Sequence, residues 1–584
     1  MDNSQLASAL NEIAILMELQ GEDSFRSGSY SRAARTLETL AYSAALRLQE
    51  GTLGQVAGMG KSMQETIGHL VRTGTTPQLD ELRAKTPPGL ILMLRIPGIG
   101  PKKVRILFTV LGIDTLDKLR AACQSGKVAE LKGFGVKTQT KILEGLAFVE
   151  VSNERVRLDQ ALAVAETLLE AVKALPGVEK VELAGSIRRR RETVKDIDIV
   201  ATVADSTGAP GVLAAFARLP WVERVVGQGD TKASVVARLG EGARAIRLNA
   251  DLRVVPAAAF AYALNYFTGS KEHNVALRQR AQALGLKLNE YGLEGEAGAP
   301  VCTEERDIYR ALGMDYVEPE LRENTSEVAA ARESKLPELV RLEHVHGVFH
   351  NHTTASDGAN SLKEMAEAAR ALGYRWLGIA DHSQSLTIAN GLTPDRVREQ
   401  WREIDRLNQS WNDFRILKGS EVDILADGSL DFDDDLLAGF DYVVASVHTH
   451  FSQPREEMTA RIVRALSNPY VTMLGHPTGR LLLRREAYAV DLEAVLQAAR
   501  KHDKWVEINA NPMRLDLDWV HCRRAGELGV KLVINPDAHA TDELAHTARG
   551  VEVARRGWIG PSQLANTLDL EQVQAELEKR RKRA

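Results

Sequence analysis

Two carboxylates separated by one residue, Asp196 and Asp198, stand in the apolar run Asp196-Ile197-Asp198-Ile199-Val200. On a strand, alternate side chains share a face, so both carboxylates point one way while Ile197 and Ile199 point into a core. Like charges held side by side repel, and a divalent cation relieves that repulsion. A third carboxylate, Asp251, lies in Leu248-Asn249-Ala250-Asp251-Leu252, again with apolar neighbours. Three carboxylates on adjacent strands can hold two metal ions that activate a hydroxyl and neutralise a departing phosphate. A DxD alone is usually a solvated turn. Here it follows Gly185-Ser186-Ile187-Arg188-Arg189, in which Ser186 and Arg189 suit a triphosphate.

A second constellation fills the C-terminal part. In order come His350-Asn351-His352, Asp357, Asp381-His382, Glu421, His448, His476 and Asp537-Ala538-His539. Of the 14 histidines, all but His69 and His273 fall between His344 and His546. Apolar bursts lead into several of these motifs, as in WLGIAD, YVVASVH, VTMLGH and KLVINPD, and a further burst, WVEINA, carries Asn509. Six imidazoles with three carboxylates form a mixed nitrogen and oxygen set, suited to zinc, manganese or iron rather than calcium. His450, Asp381 and Asn509 lie beside these motifs and read as supporting or packing residues. Arg480 and Arg514 either position phosphates or are plain surface residues.

Three segments near the N-terminus share an apolar-x-Gly-apolar-Gly pattern: Val56 to Gly60, Ile96 to Gly100 and Leu131 to Gly135. Gly58, Gly60, Gly98, Gly100, Gly133 and Gly135 let the backbone turn tightly and bring N–H groups close to a ligand. The helix after each adds unpaired N–H groups and a positive dipole end. Lys102, Lys103 and Lys137 supply charge there. Between Arg95 and Lys141 there are ten Lys or Arg against Asp114, Asp117 and Glu130, a local basic patch in a chain of net charge −5. This resembles the helix-hairpin-helix element, which grips DNA backbones without reading sequence.

The elements that must position these groups are legible in outline. Residues 1–150 read as short helices broken by Gly-rich turns. A helix, LDQALAVAETLLEAVKAL, then gives way to strands KVELAGS, DIDIVATV and RLNADLRVV. A polar stretch over 296–343 reads as a linker with short elements. The bursts after it alternate with helices, the pattern of a parallel barrel whose active site lies at the C-terminal strand ends. The 584 residues predict three to five domains. No apolar run reaches the roughly 20 residues a membrane helix needs, and MDNSQLASALNEIAIL does not read as a secretion signal. Cys123, Cys302 and Cys522 are odd in number and far apart, which argues against a disulfide scaffold and fits a reducing cytosol.

The GS motif, the DxD, the later Asp251 and Tyr266-Phe267-Thr268-Gly269-Ser270 together resemble the family X DNA polymerases of bacteria. The C-terminal ligands resemble the PHP phosphoesterase superfamily. The resemblance implies a multidomain α+β and α/β chain. Its expected parts are a lyase-like DNA-binding domain (1–75), fingers with helix-hairpin-helix (76–150), a nucleotidyltransferase palm (151–256), a thumb (257–320), a linker (321–343) and a PHP distorted (β/α)7 barrel (344–584). By the same resemblance Asp196 and Asp198 hold two ions, Mg2+ or Mn2+. Asp251 helps hold the catalytic ion and takes the primer hydroxyl proton. Ser186, Arg189, Tyr266, Phe267, Gly269, Asn274 and Arg278 contact nucleotide and template. His350, His352, Asp357, His382, Glu421, His448, His476, Asp537 and His539 hold up to three ions, Mn2+, Zn2+ or Fe2+. The implied activities are gap filling in DNA repair and 3′→5′ exonuclease or phosphoesterase action. The expected partners are gapped or primed DNA and dNTPs, with no membrane, and the chain is read as a cytoplasmic, nucleoid-associated monomer. The alternative is a PHP 3′-end phosphatase or abasic-site endonuclease that uses the polymerase part only to dock DNA. One departure stands out. Thr66 occupies the place of the family's imine-forming lysine, which predicts weak lyase activity or none by that route. Tyr30 and Arg32, in SYSRAA, match the family's 5′-phosphate pocket.

Overall fold

The computed structural model describes residues 1–584 other than 2, 23, 39–43, 57, 95, 97–98, 152–154, 205–207, 242–244, 297, 299 and 584. The chain divides into two units, Met1–Glu154 and Arg155–Ala584.

The first unit is helical. Gly60 and Gly100 cap the helices Lys61–Thr73 and Pro101–Leu111 at their N-termini, and Gly74 and Gly112 end them in left-handed conformation, φ 75° and 64°. That asymmetry is why the glycines bracket each helix: a side chain in the left-handed region is strained, and Pro101 accepts the first helical position because no N–H is needed there. Leu10, Ile13, Met17, Ile67, Leu70, Val104 and Leu107 are buried in one apolar core.

The second unit begins with the helix Leu158–Lys173 against a five-stranded sheet. Its strand order is Val178–Leu183, Asp196–Val203, Ile246–Val255, Lys232–Leu239, Val222–Gln228, and only Asp196–Val203 with Ile246–Val255 is parallel. Ile197 and Ile199 are buried as alternation requires. The hairpin Val222–Gln228 and Lys232–Leu239 was not singled out from sequence. Its outer strand alternates partly buried and exposed residues, so it shows no apolar burst. Helices Phe260–Thr268 and Lys271–Ala283 follow. The stretch 321–343, read from sequence as a linker, is well packed: Arg322 and Glu327 are fully buried, and Arg322 binds Glu305 at 2.7 Å.

Beyond it the bursts are parallel strands, as expected, but they lie in two sheets rather than one closed ladder. The first runs Gly347–Val348, Trp376–Ile379, Arg415–Lys418. The second runs Glu421–Asp423, Val444–Ser446, Met473–Leu474, Trp505–Asn509, Leu532–Asn535. Single bridges, His382 with Glu421 and Asn351 with Ala538, connect the sheets beyond their ladders. Cys123, Cys302 and Cys522 are buried and unpaired. Among the described residues no helix is long and apolar enough to cross a membrane.

Candidate active sites

The parallel pairing sets Asp198 directly opposite Asp251, and Asp196 opposite Asn249. Lys232, on the neighbouring strand, places its Nζ 2.5 Å from Asp251 Oδ2. Burial, then the charges of Asp196 and Asp251, push the Asp198 carboxyl up to about 7. Burial and Asp251 also raise Asp196. The pair is therefore a crowded set of carboxylates that a cation would relieve. Gly185 makes the approach possible. Its φ is +61°, and a Cβ there would lie 2.2 Å from Asp198 Oδ2.

Two expected results follow from this geometry. Gly185→Ala lowers divalent-cation affinity at the Asp196, Asp198 and Asp251 set about tenfold, through displacement of Asp198, and costs roughly 1–2 kcal/mol of stability from the left-handed backbone; calorimetric titration and thermal unfolding read both. The second concerns pH. Because the folded chain holds the Asp198 proton up to about 7 against an ordinary 3.8, the metal-free protein loses stability as pH rises through that window. A cation must displace that proton, so Mg2+ affinity by calorimetric titration falls as pH drops from about 8 to about 6, by roughly tenfold per unit below the shifted value.

The expected nucleotide contacts are distributed unevenly. Ser186 and Arg189 are on the turn of helix Gly185–Arg188. Ser186 is partly buried. Arg189 is buried and engaged, its Nε 3.1 Å from Glu323 and its Nη1 donating to the Thr268 carbonyl at 2.5 Å. Tyr266 and Phe267 meet edge to face at 5.2 Å, and the Arg253 guanidinium lies 4.2 Å over the Phe267 ring. Asn274 Nδ2 donates to the Tyr266 carbonyl at 2.7 Å while its buried Oδ1 has no partner. Gly269 has φ +72°, and Arg278 is exposed on Lys271–Ala283.

In the first unit, Gly58 has φ +81°, Gly133 φ +89° and Gly135 φ +70°. Gly100 caps its helix, and Gly98 lies outside the described residues. Lys102 and Lys137 are exposed, and Lys103 lies 5.8 Å from the Phe134 ring centre. Thr66 donates to the Ser62 carbonyl within helix Lys61–Thr73. The buried Tyr30 hydroxyl meets Gln78 at 2.9 Å, and Arg32 is exposed.

All nine C-terminal candidates converge at the strand ends. Glu421 is their hub. Its oxygens lie 3.3 Å from His350 Nε2, 2.8 Å from His382 Nδ1, 3.2 Å from His448 Nε2 and 2.8 Å from His476 Nε2. Asp537 Oδ1 is 3.2 Å from His352 Nε2, and Asp357 Oδ1 is 3.6 Å from His382 and 3.5 Å from His539. Three overlapping groups emerge, each tight enough for one cation: His352, Asp357, His382 and His539; His350, His352 and Asp537; His382, Glu421 and His448. The donors fit metal ions. His350 Nε2, both nitrogens of His352, His382 Nδ1 and His476 Nδ1 are buried without hydrogen-bond partners. Each such atom costs about 1–3 kcal/mol, which a cation accepting the lone pair offsets. Burial and the neighbouring His539 and His382 lower His352 to about 3, so it stays neutral and able to ligate.

Around the ligands stands a ring of orienting residues. His350 Nδ1 donates to Glu507 at 2.7 Å and His448 Nδ1 to Asp423 at 2.7 Å, leaving each Nε2 free to face the centre. Glu507 also accepts from the His476 N–H and from Asn535 Nδ2. Asn509 Nδ2 donates to Asp537 at 3.0 Å. Asp381 accepts from the Thr353 N–H and hydroxyl, Ser356 and Gln400, which shapes the turn between His352 and Asp357. His450 is exposed and bonds Thr449. Glu507, Asp423, Gln400 and Asn535 escaped the sequence reading. The available signal was an acid inside an apolar strand, WVEIN, and an acid two residues after Glu421, which shares its face.

Comparison with known proteins follows this division. Residues 1–76 match a helix-hairpin-helix domain, 90–147 a SAM-like helix-hairpin-helix tandem, 263–323 the DNA polymerase beta thumb and 349–511 the PHP domain. A DNA polymerase/3′-5′ exonuclease PolX of Bacillus subtilis (strain 168) is 39% identical over 582 residues, 99% of this chain and 100% of that protein. A probable phosphatase of Thermoanaerobacter sp. (strain X514) is 28% identical over 37% of this chain and 89% of its own length. One of Acetivibrio thermocellus is 30% identical over 34% of this chain and 82% of its own. With that identity along its whole length, and with helix-hairpin-helix, thumb and PHP matches along the chain, this chain belongs to the PolX family of DNA polymerases.

Proposed function

We propose that this chain extends DNA primers across short gaps at the Asp196, Asp198 and Asp251 site, and removes 3′-terminal nucleotides at the Glu421-centred site. The observation that carries the reading is the presence, in one chain, of two separate carboxylate sets of different chemistry. One is oxygen-only with carboxylates in register on paired strands; the other is imidazole-rich with three cation-sized groups. Cations there would supply a lowered water or hydroxyl pKa and charge neutralisation at phosphorus. Mg2+ or Mn2+ suits the oxygen set, and Mn2+, Zn2+ or Fe2+ the mixed set.

At the first site, Asp251 accepts the primer hydroxyl proton while Asp196 and Asp198 fix the position of the nucleotide phosphates. Ser186 and Arg189 bind the triphosphate once Arg189 leaves Glu323. The Tyr266–Phe267 backbone lies against the sugar. Asn274 and Arg278 line the nucleotide and template. The hairpins at Gly58, Gly60, Gly98, Gly100, Gly133 and Gly135, with Lys102, Lys103 and Lys137, hold the phosphate backbone, so DNA and dNTPs are the partners. At the second site, Glu507 and Asp423 hold His350 and His448 in the tautomer that presents Nε2. The phosphatase relatives, which match this part alone, favour an additional 3′-phosphatase action there. We place the protein in the cytoplasm as a monomer.

A time course on gapped DNA with Mn2+, with and without dNTPs, tests both activities together. Extension with dNTPs and 3′ shortening without them support the reading. Absence of extension leaves the docking alternative.

A further inference from the structure

The arginine that the GS motif offers to a triphosphate is already engaged in this structure. Arg189 Nε lies 3.1 Å from Glu323 Oε1, and its Nη1 donates to the Thr268 carbonyl. Two more guanidiniums share the same carboxylate. Arg556 Nη1 and Nη2 reach Glu323 Oε1 at 3.2 and 3.3 Å, and Arg191 Nη1 lies 3.8 Å from Oε2. The Glu323 side chain is only 9% exposed. Burial works against its ionisation, yet Arg556, Arg189 and Arg191 hold its carboxyl down at about 2. A buried carboxylate stripped of its cations is costly. With three cations around one carboxylate, one guanidinium can leave without stranding it.

Arg556 comes from the PHP part. It ends the helix Thr547–Arg556 and is buried. That helix is tied both to the GS turn and to the thumb. Toward the turn, Arg556 Nη1 donates to the Arg189 carbonyl, and Glu552 Oε1 lies 3.3 Å from Arg190 Nε. Toward the thumb, Arg555 Nε lies 2.7 Å from Glu320 Oε1.

We propose that Glu323 and Arg556 are positioning residues for nucleotide binding: Glu323 competes with the triphosphate for Arg189, and Arg556 is the substitute cation that keeps Glu323 paired when Arg189 turns to the nucleotide. The two residues therefore act with opposite sign. Glu323 opposes phosphate binding, and Arg556 weakens that opposition by sharing the carboxylate. The cleavage part thereby sets the nucleotide affinity of the extension part. This deepens the extension reading above and rests on it.

The test uses the full chain on gapped DNA. It reads the dNTP KM and the Ki of inorganic tripolyphosphate against primer extension; the second probe carries phosphate groups without base or sugar. Glu323→Gln should lower both constants and Arg556→Gln should raise both, each by about 3- to 20-fold, the range for coupled members of one ion-pair network. The kcat for extension and the rate of 3′ nucleotide release should stay near wild type. Arg556→Lys, which keeps the charge, should recover part of the loss. Glu323→Gln combined with Arg556→Gln should match Glu323→Gln alone, because no carboxylate is then left to share. A purely structural network would raise both constants in both single variants. That result, or unchanged constants in either, overturns the proposal, and additive effects in the double variant overturn the part given to Arg556. Should either single variant fail to fold, Arg191→Gln replaces it, since that side chain is 45% exposed. It should raise both constants about two- to threefold, and no change or a fall overturns the proposal. A wild-type chain that extends no primer overturns the extension reading, and this proposal with it.

Discussion

Asp198→Asn is expected to abolish primer extension and to leave 3′ nucleotide release intact. The substitution keeps shape and strand pairing and removes one charge from the proposed cation site. Asp198 sits opposite Asp251 and two residues from Asp196, so no remaining carboxylate can take over both of its neighbours. A loss of about a thousandfold or more corresponds to roughly 4 kcal/mol of transition-state stabilisation. The stability readout runs the other way. The Asp198 carboxyl is pushed up to about 7 by burial and by Asp196 and Asp251. Its replacement by a neutral amide therefore stabilises the metal-free fold above that pH. A variant with a raised unfolding temperature at about pH 8 and no extension separates chemistry from folding. Extension within tenfold of wild type would remove Asp198 from the mechanism.

Glu421→Gln is expected to end 3′ nucleotide release and to spare extension. Glu421 is fully desolvated and lies within 3.3 Å of four imidazoles, those of His350, His382, His448 and His476. Although burial works against its ionisation, His448, His350 and His382 hold its carboxyl well below the usual range. Removing the charge strands those imidazoles, and removing one partner from a buried charge set costs about 3–5 kcal/mol. Metal content per chain, measured after dialysis, should fall together with a drop of about a thousandfold in release. Primer extension by the same preparation serves as the internal control. Retained metal with retained release would show that Glu421 is dispensable.

Much of the architecture could be read directly. The alternation around Asp196 and Asp198 foretold buried Ile197 and Ile199, and the apolar bursts foretold parallel strands, four of them leading into a candidate metal ligand and the fifth, Trp505–Asn509, ending at Asn509. The hairpin Val222–Gln228 with Lys232–Leu239 escaped because its outer strand is half exposed and shows no apolar run. The packing of 321–343 was hidden for a related reason. Arg322 and Glu327 are charged residues that look solvated in sequence, yet they are fully buried because Glu305 and His273 pair them. Lys232, Glu507 and Asp423 were hidden because their partners are remote in the chain or look like ordinary strand residues.

The sequence alone determined which residue types were available and which face of each strand they share, since alternation is a local property of the backbone. It thereby named both carboxylate sets and the glycines that cap the hairpin helices. Only the tertiary structure decided that Asp198 lies opposite Asp251, that Arg189 and Arg480 are engaged, and that Arg514 faces Asp537. Those facts depend on strand register and on contacts between segments hundreds of residues apart, such as Arg480 with Glu192. No local pattern encodes such contacts, because they are fixed by the packing of whole elements against one another.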